Sequence, residues 1–309
     1  MISAETIAGA NIGGIVTNLI ARKSGGGNVD LSGLQPYLRD RILAGMVEDY
    51  VGKGDILNAE KVSAQRSGFL SADQYGTAGD VCYNEALTLK ENYTPPPEPS
   101  EASGTGVLLR EKTPSDAPLE AIAVKLAAAD TAYSKIGHIE KRNVVGLTYL
   151  ELGLFEEAGA IFSDADHTDG LRSVSMAYWK RATEKHYDQH SAKFAFDFAR
   201  QAKATDLLET MRDAHLEAER YGEALDICKS LRDEDGLRTI AKNADLNTRI
   251  EAYKFLKDED GLFLLGAGIL KQYHDEKRSR VTSRESNPDL RAVCRTLEGL
   301  GVKGIDSIF

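Results

Sequence analysis

The sequence predicts an all-α fold, an α-solenoid of stacked helical hairpins with a smaller N-terminal helical region. Three observations carry this expectation. From Leu119 to Asn287 there is no proline, and Ala, Leu, Glu, Lys and Arg dominate with almost no β-branched alternation, a composition that favours helix over strand. Within that interval Leu231-Arg-Asp-Glu-Asp-Gly-Leu237 recurs as Leu256-Lys-Asp-Glu-Asp-Gly-Leu262, each copy set between short amphipathic segments. Finally, Phe155-Glu-Glu-Ala158 and Asp169-Gly-Leu-Arg172 reappear, at a common offset of 66, as Tyr221-Gly-Glu-Ala224 and Asp235-Gly-Leu-Arg238. A unit of helix, acidic turn and helix buries its apolar face only by stacking on its neighbours.

Taken in order, residues 1–33 hold seven glycines and read as a short helix followed by a joint at Ser24-Gly-Gly-Gly27. The apolar run Ile7 to Ala21 falls short of the roughly 20 residues that span a bilayer. It also follows Glu5 and precedes Arg22 and Lys23, the reverse of a secretory signal. No membrane span and a cytoplasmic location are expected. Residues 34–93 form a helical region: Leu38, Ile42, Met46 and Val47 recur at helical spacing, and two further helices are predicted around Ile56 to Gln65 and Ser71 to Leu89.

Six of the eight prolines fall in residues 94–118, which excludes a helix interior and predicts an extended linker. Pro96 and Pro99 have PxxP spacing, a short pattern that an aromatic groove could read. Residues 119–273 carry the repeats, with a fainter unit turning at Asp206-Leu-Leu208. Residues 274–309 comprise a basic connection and a C-terminal helix over 288–300.

The acidic turns have a local mechanism, because Asp235 and Asp260 are expected to cap the amides of the following helices while Gly236 and Gly261 relieve crowding. A calcium loop at Asp164-Ala-Asp166-His-Thr-Asp169-Gly170 is the alternative. It departs from the EF-hand pattern, since glycine falls at the seventh position and Ser175 at the twelfth.

The segment from Gly146 to Ala165 resembles a tetratricopeptide repeat, with Gly146, Tyr149, Gly153, Phe155, Ala158, Phe162 and Ala165 all in register. Small residues let two antiparallel helices approach, and aromatics fill the space beside them. The resemblance covers roughly a tenth of the chain. At the offset of 66 Arg212 and His215 stand where the family has small and aromatic residues, and the turn leucines Leu171, Leu207, Leu237 and Leu262 are spaced by 36, 30 and 25 residues. The chain therefore reads as a divergent, TPR-like array. The resemblance implies an inner surface on which Asn143, Leu147 and Leu150 contact a partner. The alternative is that Leu147 and Leu150 pack in the core against a neighbouring helix.

Chemistry-bearing patterns are sparse. His186 and His190 have the i, i+4 spacing of zinc ligands, but no HExxH glutamate or third ligand accompanies them, so capping and hydration at a helix junction compete with metal binding. No phosphate-binding glycine loop or nucleophile elbow is present. The three cysteines, Cys82, Cys228 and Cys294, lie in helical patterns without C-x-x-C spacing, which predicts small buried hydrophobes in a reducing compartment. No catalytic residue, cofactor or metal is assigned.

Over 309 residues, 38 basic and 48 acidic side chains leave a net charge of −10, which disfavours wholesale nucleic-acid wrapping. Positive charge concentrates only in Lys277-Arg-Ser-Arg280-Val-Thr-Ser-Arg284. The expected role is a protein-protein interaction scaffold or adaptor that holds a peptide or a helix. The alternatives are an enzyme or nucleotide-linked regulator with a helical-repeat body, and nucleic-acid binding through 277–284.

Overall fold

A computed structural model describes residues 36–66, 68–95, 117–184, 186–276 and 288–300. Fourteen α-helices and no strands occur among them: α1 (Pro36–Gly52), α2 (Ile56–Ala64), α3 (Ala72–Glu91), α4 (Ala117–Lys135), α5 (Ile139–Glu151), α6 (Phe155–Asp164), α7 (Thr168–Thr183), α8 (Gln189–Gln201), α9 (Thr205–Glu217), α10 (Tyr221–Leu231), α11 (Glu234–Asn243), α12 (Leu246–Leu256), α13 (Glu259–Glu276) and α14 (Pro288–Gly299). The expected all-α solenoid of helical hairpins is what forms. The glycine-rich joint, most of the proline-rich segment with its PxxP spacing, and the basic segment 277–284 lie outside the described residues.

The chain divides into two compact units, one ending at Gly170 and the other beginning at Leu171. In the first, α1 and α2 close on each other around Ile42, Leu43, Met46, Val47, Ile56 and Val62. Ser71 starts α3 with a capping box, in which its hydroxyl accepts from the Gln74 N–H and the Gln74 side chain accepts from the Ser71 N–H. Helices α3 and α4 pack against each other, so residues on both sides of the proline-rich segment share this unit. Helix α4 then pairs with α5, and α5 with α6.

In the second unit α8 through α14 pack in succession. Ala224, Cys228, Leu237 and Ile240 form one cluster, and Leu262, Val293, Cys294 and Leu297 another. Cys82, Cys228 and Cys294 form no disulfide and are buried, the small-hydrophobe role that their helical settings predict.

One turn geometry recurs. The N–H of Leu154, His167, Arg220, Asp233 and Asp258 each donates to the carbonyl five residues earlier, at 2.9–3.0 Å. The residue before each donor is left-handed, which is the Schellman closure of a helix end. The left-handed residues Gly137, Gly153 and Asp166 recur at the offset of 66 as Lys203, Glu219 and Arg232. The 66-residue similarity is thus a similarity of backbone as well as of residue type.

The helix starts correct one expectation. Helix α11 begins at Glu234, so the capping position belongs to Asp233, whose Oδ1 accepts from the Gly236 N–H at 3.1 Å. Asp258 does the same for Gly261 at 2.8 Å. Asp235 and Asp260 lie inside the first turn, where their charge still favours the positive helix end. In the earlier copy the cap is His167, whose Nδ1 accepts from the Gly170 N–H at 3.0 Å. Asp164, from the calcium-loop alternative, is paired with Arg142 at 2.6 Å. The glycines answer close approach: a Cβ on Gly236 would lie 2.6 Å from Cys228 Sγ, and one on Gly261 would lie 2.2 Å from the Tyr253 ring.

Candidate interaction site

Helix α5 is fixed along three sides. Arg142 is buried and pairs with Asp130 at 2.8 Å and with Asp164, tying α5 to α4 and α6. Gly146 admits the Phe162 ring, which would stand 2.7 Å from a Cβ there. Tyr149 is buried and donates its hydroxyl to the Ala123 carbonyl of α4 at 2.9 Å. Towards α3, Lys141 pairs with Asp80 at 2.5 Å, and the Thr148 and Tyr83 hydroxyls share a hydrogen bond at 3.1 Å.

These contacts leave the remaining side of α5 facing outward. Ile139, Asn143, Leu147 and Leu150 follow the i, i+4, i+8, i+11 spacing of one helical face. Leu147 is 44% exposed, as is Val144 beside it at 45%, while Asn143 and Leu150 are half-buried. The enclosed Oδ1 of Asn143 has no hydrogen-bond partner. The three residues singled out from the sequence thus share one face, on which Leu147 is not a core residue.

The copy of α5 in the second unit is α9, and the residues at the offset of 66 differ in character. Ile139, Asn143 and Leu147 correspond to Thr205, Glu209 and Asp213, while Leu150 keeps its character as Leu216, so that face of α9 is polar at its first three positions. Inside, Gly146 corresponds to Arg212, which reaches Asp233 at 3.0 Å, and Phe162 corresponds to the smaller Cys228. Tyr149 corresponds to His215, which is buried with no partner for its Nδ1.

His215 sits at the floor of a groove of about 980 Å³ between α8 and α10. The Tyr187 ring meets it edge-on at 5.6 Å between centroids, Trp179 meets it at 5.4 Å, and the Arg220 guanidinium lies 3.6 Å from the Tyr187 ring centroid. The Tyr187 hydroxyl is also enclosed without a partner. Burial holds the His215 imidazole below its ordinary pKa, with Glu223 opposing and Arg220 adding to the shift. Burial raises the Tyr187 phenol to about 12. Sequence reading singled out His215 only as a departure from the repeat pattern and missed Tyr187, because nothing in the local sequence signals an unpaired hydroxyl.

His186 precedes α8 and is exposed, so it shares no helical face with His190, whose ring meets Phe194 edge-on. Among the described residues no group of three or more His, Cys, Asp or Glu is placed to hold a metal ion. No described helix is long and apolar enough to cross a membrane. No family model, curated protein or solved structure matches the chain.

Proposed function

We propose that the chain is a protein-interaction scaffold that grips a partner's peptide or helix on the outward face of α5, through Asn143, Leu147 and Leu150. The observation that carries this reading is the contrast between equivalent positions: an exposed leucine at 147 and an exposed aspartate at 213, on helices with matching turns. A face that only meets water tolerates Asp213. An apolar stripe at helical spacing suits the anchors of an amphipathic helix or an extended peptide. The partnerless Asn143 Oδ1 adds a buried acceptor beside that stripe, which a donor from the partner would satisfy.

The test is co-purification with the Asn143→Ala, Leu147→Asp double variant beside wild type, with helical content checked by circular dichroism. The double variant is expected to lose a partner that wild type retains, with an unchanged spectrum. Retention of every partner by a folded double variant would refute the assignment.

A further inference from the structure

The groove between α8 and α10 is lined by residues of the second unit and has its own chemistry. Two enclosed polar atoms at its floor, the Tyr187 hydroxyl and His215 Nδ1, lack partners and do not bond each other, although their rings are only 5.6 Å apart. The residue equivalent to His215 in the first unit shows that such an orphan is not demanded by the fold, because the Tyr149 hydroxyl is satisfied by Ala123. A buried polar group left unpaired costs free energy that a ligand able to pair it recovers.

The charges around the groove identify the ligand class. On α8, Arg200 is paired with Asp197 at 3.3 Å, and on α10, Lys229 is paired with Glu251 at 3.4 Å. The remaining rim carries Lys193 on one wall and Glu223 and Asp226 on the other; the lining thus holds three cations (Lys193, Arg200, Lys229) and three carboxylates (Asp197, Glu223, Asp226), so no net charge selects an ion. One group already bridges the two helices: the Gln189 carboxamide donates to Glu223 at 3.2 Å, and Glu223 lies close enough to influence both His215 and Tyr187. The protein's own carboxamide therefore occupies the mouth of the site.

From this we infer that the groove binds a peptide segment through an Asn or Gln side chain, whose carboxamide displaces that of Gln189, gives an N–H to His215 Nδ1 and accepts from the Tyr187 hydroxyl. A neutral group that both donates and accepts can pair a phenol and either tautomer of a neutral imidazole, whereas a carboxylate would bring a like charge beside Glu223. Walls formed by Ala192, Phe196 and Ile227 cover the aliphatic part of the side chain. The assignment shares with the scaffold reading only the premise that the occupant is a protein segment. Leu147→Asp is expected to leave it intact, so failure of one does not imply failure of the other.

The test is titration of the full chain, labelled with ¹⁵N-histidine, with N-acetyl-L-glutamine methylamide, following the His215 nitrogens by NMR. The matching glutamate and methionine amides and free L-glutamine serve as comparison probes, and His215→Asn assigns the resonance. The glutamine amide is expected to give a saturable shift that the glutamate and methionine amides do not. Tyr187→Phe keeps the ring under Arg220 and is expected to weaken binding about 5- to 10-fold, the loss of one hydrogen bond. Gln189→Ala clears the side chain that the ligand must displace from the mouth of the groove and is expected to strengthen binding severalfold, which a merely structural glutamine would not do. Equal binding of the methionine amide, no saturable shift with the glutamine amide, or unchanged affinity in Gln189→Ala would overturn the inference. Binding of free glutamine without the blocked amide would overturn the peptide as its source.

Discussion

Helices α5 and α9 occupy corresponding places in the 66-residue similarity, end in matching left-handed turns at Gly153 and Glu219, and have been put to different uses. On α5 the interior is completed by Gly146 against Phe162 and by the Tyr149 hydroxyl on Ala123, and the outer face is apolar. On α9 the interior volume has changed hands: the side chain on the first helix has grown to Arg212, and the one on the second has shrunk to Cys228. The outer face is polar at Thr205, Glu209 and Asp213, and the unsatisfied group is inside, at His215. The comparison teaches that the turn is the invariant of this repeat. Side-chain volume can move between partner helices, and the surface is free to specialise.

The largest expected effect breaks the interior of the first copy. Phe162 is fully buried and touches the places where Gly146 and Gly170 would carry Cβ atoms. Phe162→Ala is expected to cost about 3–5 kcal/mol in urea unfolding. Gly146→Ala alone is expected to cost roughly 1–3 kcal/mol by overpacking. In the Phe162→Ala background that second cost should nearly vanish, because the two groups compete for one space. Additive losses would show that Gly146 has another role.

The turns give the next effect. Gly153→Ala places a side chain at φ 75°, and Glu219→Gly removes one at φ 55°. The first is expected to destabilise by about 1 kcal/mol and the second to stabilise by about 0.5–1 kcal/mol, measured as shifts of the unfolding midpoint. Effects of the same sign would mean that the two turns are not equivalent.

A pH dependence distinguishes the interiors. His215 is neutral when buried, and its folded pKa lies below the ordinary histidine value of about 6.5, with desolvation as the main cause. The unfolded chain therefore binds a proton at a pH where the folded chain does not. Stability is fully present above about pH 6.5 and declines as the pH falls from there towards the folded pKa. His215→Phe is expected to flatten that segment of the stability profile, while Tyr149→Phe leaves its slope unchanged. An unchanged slope in His215→Phe would assign the dependence to other groups.

How much of this was legible follows from where each signal resides. Helix positions and the repeat were readable because spacing and residue type determine them locally; the turn leucines Leu171, Leu207, Leu237 and Leu262 that mark the repeat are buried in the structure. The capping residue was misplaced by two positions, since Asp233-Glu-Asp235 offers two aspartates and only the first helical residue decides between them. His167 as the corresponding cap was hidden, because it takes the place of the aspartate that caps the other copies. The shared face of Asn143, Leu147 and Leu150 came from helical spacing within a resemblance, but the exposure of Leu147 depends on where α3, α4 and α6 lie. The Tyr187–His215 site is formed by a residue ahead of α8 and one on α9, so only the tertiary fold brings them together.

The smallest stability effect belongs to the outer faces. Leu147→Asp and Asp213→Leu are each expected to change stability by no more than about 0.5 kcal/mol, because both side chains are exposed. The faces should differ in recognition instead. The most direct measurement places the photo-crosslinking residue p-benzoyl-phenylalanine at position 147 or at position 213 of the full chain, in cells that make the protein naturally, and identifies the products by mass spectrometry. A discrete protein adduct at 147 that is absent at 213 is the predicted result. Equal labelling at the two positions, or no adduct at 147, would contradict the assignment of α5 as the face that holds a partner.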